Sequence, residues 1–118
     1  MLVVDDEPMV GQLVAKVLAA HEVVAETSGR AALDRLRGDS NFDVILCDVM
    51  MPEVSGMDVY SQVAPELRCK IVFLSGGAFT DRAQSFLDSV PNRRLSKPFD
   101  IDALTAVLVS SGEHDALP

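Results

Sequence analysis

Val44-Ile45-Leu46-Cys47-Asp48 (residues 44–48) is a run of four apolar residues that stops on a carboxylate. A short apolar run without alternation is the pattern of a strand buried on both faces. Leu2-Val3-Val4 stopping at Asp5, and Ile71-Val72-Phe73-Leu74 stopping at Ser75, have the same form. Valine-rich Glu22 to Glu26, and Arg94-Leu95-Ser96 ending at Lys97, bring the predicted strands to five.

Helical spacing fills the intervals. Pro8 suits a first helical turn, where its missing N–H costs nothing. Val10, Leu13, Val14, Val17 and Leu18 then form one apolar face of a helix over 8–20. Thr27 or Ser28 can cap the next helix, with Ala31, Ala32, Leu33 and Leu36 inward. A helix over roughly 57–66 presents Val59, Tyr60 and Val63, and Pro65 ends or bends it. Thr80 or Asp81 caps a helix to about Ser89, and Asp100 caps a last one carrying Ile101, Leu104, Val107 and Leu108. Strand–helix alternation of this kind predicts a doubly wound α/β fold, a five-stranded parallel sheet with helices on both faces. The domain is expected to span 1–112, with 113–118 as a tail.

The 118 residues suffice for one domain with a real core. A net charge of −8 argues against direct nucleic-acid binding, because no cationic surplus can neutralise phosphates. The apolar runs are too short to span a membrane and no signal peptide is legible, so the expected location is cytoplasmic. Cys47 and Cys69 have no metal-site spacing and read as small core residues. Dimer faces are not legible from periodicity, so the sequence leaves the oligomeric state open.

In a doubly wound sheet ligands bind beyond the carboxyl ends of the strands. Those ends carry Asp5-Asp6, Asp48, Ser75 and Lys97. Each has an ordinary structural reading when taken singly: a turn, a cap, a loop serine, a surface lysine. Together they would gather three carboxylates in one crevice, which can stay ionised only beside a cation. An all-oxygen acidic set suits Mg²⁺. Neither His21 nor His114 is placed to activate Ser75 for hydrolysis. The mixture suits phosphoryl transfer to a carboxylate, with Asp48 as nucleophile, Lys97 neutralising charge and Ser75 bonding a phosphoryl oxygen.

Leu2-Val3-Val4-Asp5-Asp6-Glu7, Asp48-Val49-Met50-Met51-Pro52-Glu53-Val54-Ser55-Gly56-Met57, Leu74-Ser75-Gly76 and Lys97-Pro98-Phe99 resemble the receiver domains of response regulators. The resemblance covers about residues 2–110. It implies a flavodoxin-like sheet of order 2-1-3-4-5, an order the receiver itself exemplifies. It implies that Asp48 is the phosphoacceptor, that Asp6 ligates Mg²⁺ directly and Asp5 mainly through water, and that the Met50 carbonyl is a further ligand. Ser75 and Lys97 match the family's hydroxyl and lysine, and Lys97–Pro98 matches a common cis bond. The implied partner is a histidine kinase or histidine phosphotransfer domain. The chain would catalyse only its own phosphorylation and dephosphorylation. The loop Ser75-Gly76-Gly77-Ala78-Phe79 is similar to loops of receivers fused to histidine kinases.

Three departures stand out. Arg94 occupies the place of an aromatic residue that usually moves inward with the Ser or Thr, and an unpaired guanidinium is costly to bury. Gly77 leaves the phosphoryl group without a screening side chain, which predicts rapid hydrolysis. The first strand is expected to be short. Arg94 also supports an alternative, a degenerate receiver that only docks proteins. A flavin-mononucleotide binder would need a phosphate-cradling loop where Asp5-Asp6-Glu7 stands. An aspartyl-nucleophile phosphatase would need an acid where Met50 stands.

Overall fold

The carboxyl ends of the strands lie in register across the sheet: Val4 pairs with Glu26 on one side and Cys47 on the other, Asp48 with Leu74, and Gly76 with Lys97. The computed structural model describes residues 1–18, 22–76, 80–97 and 99–110, with side chains of the last helix described to residue 107. The strands are β1 (Leu2–Val4), β2 (Val24–Glu26), β3 (Ile45–Asp48), β4 (Ile71–Gly76) and β5 (Arg94–Lys97). All pairs are parallel and the order is β2-β1-β3-β4-β5, as the resemblance implied. The helices are α1 (Pro8–Val17), α2 (Gly29–Gly38), α3 (Gly56–Gln62), α4 (Pro65–Arg68), α5 (Asp81–Ser89) and α6 (Ile101–Ser110).

Alternation along the strands divides the core in two. Leu2, Val4, Ile45, Cys47, Ile71 and Phe73 face α2 to α5. Val3, Leu46, Val72, Leu74 and Leu95 face α1 and α6. A central strand therefore needs apolar residues at every position, which is why β3 and β4 read as unbroken runs. Phe73 is wholly buried and stacks edge-on against Phe86 at 5.3 Å, and Phe86 in turn meets Tyr60 at 5.4 Å. A fully buried side chain such as Phe73 contributes roughly 1.5–3 kcal/mol.

The helix starts follow local chemistry. Ser28, not Thr27, caps α2 by accepting from the Ala31 N–H. Ser55 and Asp58 form a reciprocal capping box on α3. Thr80 caps α5, and Asp100 accepts from the Ala103 N–H in the first turn of α6.

Several boundaries differ from expectation. β2 begins at Val24 rather than Glu22. The helix expected over 57–66 is two: α3 ends at Gln62, and Pro65 opens α4 instead of bending α3. Pro lacks the N–H that would continue a helix but suits a first position. Leu13 and Ile101, expected inward, are 45% and 53% exposed. Cys69, expected in the core, is exposed. Ala19, Ala20, His21, Gly77, Pro98 and the tail 113–118 lie outside the described residues, and with them the Gly77 and Lys97–Pro98 expectations.

Gly56 touches the heart of the site. A Cβ there would collide with the Asp48 carbonyl oxygen and stand 2.8 Å from the Val49 Cα. Gly56→Ala is expected to destabilise the fold by about 1–3 kcal/mol through overpacking. A lowered urea midpoint with an unchanged denaturant slope checks this.

Candidate functional site

β1, β3 and β5 end on three groups that meet. Lys97 Nζ, at the end of β5, donates to Asp48 Oδ2 at 2.9 Å and to Asp5 Oδ2 at 3.0 Å. Glu7 Oε1 stands 3.6 Å from the same ammonium. Asp5 and Asp48 are 2% and 4% exposed, the only charged or polar residues among those described that are so deeply enclosed. Their second oxygens are held by backbone: Asp5 Oδ1 accepts from the Glu7 N–H, and Asp48 Oδ1 from the Met50 N–H. Carboxylate oxygens of Asp5, Asp6 and Asp48 all lie within 4.8 Å of one another, with Asp6 exposed.

Ser75 follows Leu74, the strand partner of Asp48, and is half-buried. Sequence reasoning thus named Asp5, Asp6, Asp48, Ser75 and Lys97, and the fold brings all five to one end of the sheet. Glu7 is the charged group it passed over as a participant, though Glu7 closes the run Asp5-Asp6-Glu7. Met50 holds Asp48 through its N–H, a contact that no residue-type signal predicts.

The loop after β3 is tightly built. The Val49 N–H donates to the Leu74 carbonyl and the Gly56 N–H to the Val49 carbonyl, at 3.0 and 3.1 Å. Glu53 has a φ of 63°, the left-handed region that non-glycine residues seldom occupy. These bonds fix the Met50 amide against Asp48.

Electrostatics follow from the enclosure. Burial pushes the Asp48 carboxyl above its usual range and Asp5 adds to this, while hydrogen bonds from Lys97 and Met50 work the other way. Burial opposes the Lys97 charge, but its bonds to Asp48 and Asp5 prevail and push the ammonium pKa up. Burial beside Asp48 and Asp5 keeps the Cys47 thiol protonated far above its ordinary range, so it is inert. One ammonium meets three carboxylates, with Asp6 a fourth beside two of them, a deficit that a divalent cation would offset. The donors are all oxygen, and each retains acceptor capacity beyond its present bond. The residues therefore fit a hard cation such as Mg²⁺.

Arg94 lies away from this cluster. Its side chain is 39% exposed and paired, so the cost of burying an unpaired guanidinium does not arise. Nη2 donates to the Leu87 carbonyl at 2.7 Å and to Asp88 Oδ1 at 3.1 Å. Gln84 Nε2 donates to the same Asp88 oxygen.

A family model described as the response regulator receiver domain matches residues 1–109. The transcriptional regulatory protein TcrA of Mycobacterium tuberculosis is 32% identical over 122 residues, covering 100% of this chain and 47% of that protein. The response regulator ArlR of Staphylococcus haemolyticus is 28% identical over 108 residues, covering 90% of this chain and 49% of that protein. The chain thus spans about half the length of these relatives. A receiver domain protein from Clostridium thermocellum superposes with a TM-score of 0.81 at 25% identity, over 98% of this chain and 95% of that one. The chemotaxis protein CheY4 of Vibrio cholerae gives 0.77 at 29%, over 93% and 95%.

Hydrogen bonds from Gln84 and Arg94 hold the Asp88 carboxyl below its ordinary range. A depressed acid contributes stability that is present above its unfolded pKa and lost as pH falls through the folded one. Asp88→Asn is therefore expected to lower stability slightly at neutral pH and to flatten its further loss below about pH 4. Urea midpoints across that range check it.

Proposed function

The chain belongs to the response regulator receiver family, and from that premise we propose that Asp48 is its phosphoacceptor, loaded from a phosphohistidine donor. One observation carries this reading: Lys97 bridges buried Asp48 and Asp5 from the far strand, with Asp6 beside them.

The balance of the step is simple. An Asp48 oxygen attacks phosphorus, a P–O bond forms, the P–N bond to imidazole breaks, and the freed imidazole takes up a proton. The Met50 N–H holds Asp48 Oδ1 and leaves Oδ2, now on Lys97, as the attacking atom. Lys97 turns to a phosphoryl oxygen as that bond forms, and the Ser75 hydroxyl donates to another. Asp6 and Asp48 would ligate Mg²⁺ with the Met50 carbonyl, and Asp5 would hold it through water. When bound, the ion neutralises charge on the transferred group. Water attack later returns Asp48 and phosphate, so the chain acts only on itself.

The partner is a histidine kinase or histidine phosphotransfer domain, by family. No helix among the described residues is long and apolar enough to cross a membrane. A phosphorylation-silent docking module gains nothing from Arg94, which is paired and remote from the acidic cluster.

Incubation with Mg²⁺ and acetyl phosphate is expected to add one phosphoryl group by intact mass, and none in Asp48→Asn or with chelator. An unmodified wild-type protein under these conditions would refute the assignment. Calorimetric titration should show Asp5→Asn weakening Mg²⁺ binding about 10–100-fold, the usual cost of losing an outer-shell partner. Asp6→Asn should weaken it further.

A further inference from the structure

Arg94 is committed to the end of α5. The carbonyl of Leu87 would normally accept from the N–H four residues on, but that residue is Pro91, which has none. Arg94 Nη2 fills the gap at 2.7 Å. Asp88 fixes the guanidinium from the same helix and is itself fixed by Gln84. The charge also suits the negative end of the helix dipole. Arg94 faces away from Leu95, which is buried on the α1–α6 side of the sheet. Inward motion would desolvate the guanidinium, orphan Leu87 and release Asp88.

A change of charge at Asp48 acts on β5 through Lys97, three residues from Arg94, and on β4 through Ser75, whose strand partner is Ser96. The route through β5 passes the residue that is pinned, and the contact of β4 with α5 runs through Phe73, which is wholly buried against Phe86. We propose that Arg94 is a fixed cap that uncouples α5 from Asp48, so that phosphorylation leaves the α5–β5 face unchanged and alters only the strand ends around the acidic cluster. This rests on Asp48 being the phosphoacceptor.

Two measurements test it on the whole chain. Amide NMR with Mg²⁺ and beryllofluoride should show large shifts at Asp6, Met50 and Gly76, and far smaller ones across residues 81–90. Shifts in α5 as large as those at Met50 would overturn the uncoupling. The absence of any response at Asp48 would overturn the phosphoacceptor reading and the uncoupling with it. Hydrogen exchange without any phosphoryl mimic tests the cap alone. Arg94→Leu should speed exchange of α5 amides about tenfold or more, as expected for losing a bond to a charged donor, with Arg94→Lys restoring part of the protection. Should Arg94→Leu fail to fold, Asp88→Ala is expected to act in the same direction. Exchange that stays unchanged in either variant would overturn the cap.

Discussion

The ammonium of Lys97 holds two buried carboxylates from two other strands, and the site depends on that one bridge. Burial alone would drive Asp48 towards its protonated, non-nucleophilic form. Lys97 and the Met50 amide oppose this through hydrogen bonds to its two oxygens. Partial neutralisation is what a cation site at these residues would need. Complete pairing would leave no demand for a metal, and no pairing would leave carboxylates that repel one another or take up protons.

The bridge in turn constrains the scaffold. Its partners lie 92 and 49 residues away in sequence, so only parallel strands ending at one level can assemble it. Cores on both faces hold β1, β3 and β4 at that level. The loop from Val49 to Ser55, closed by the contact of Gly56 with the Asp48 backbone, holds Asp48 in place. The left-handed Glu53 belongs to the same turn, and its backbone cost falls where position matters most.

The site and the α5 face are separate devices. Charge accumulates at one end of the sheet, whereas Arg94, Asp88 and Gln84 tie a helix end that Pro91 leaves open. Arg94, at the place where the resemblance implies an aromatic, is bonded to α5 and leaves the acidic cluster untouched.

The alternation of apolar runs with helical periods by itself determined the α/β class, because a strand covered on both faces leaves no polar position. The polar residue ending each run determined the candidate chemistry for the same reason: a charge appears where the core stops. Boundaries near Pro65 and Glu22 were less legible, since propensity cannot say whether a proline ends one helix or begins another. Nor could periodicity show that Leu13 and Ile101 stay exposed, because how far a helix is covered depends on its neighbours. Only the tertiary structure decided that Lys97 bridges Asp5 and Asp48, and that Arg94 turns outward to a carbonyl left without its N–H. Both are contacts between distant segments, and their geometry exists only once the sheet has closed.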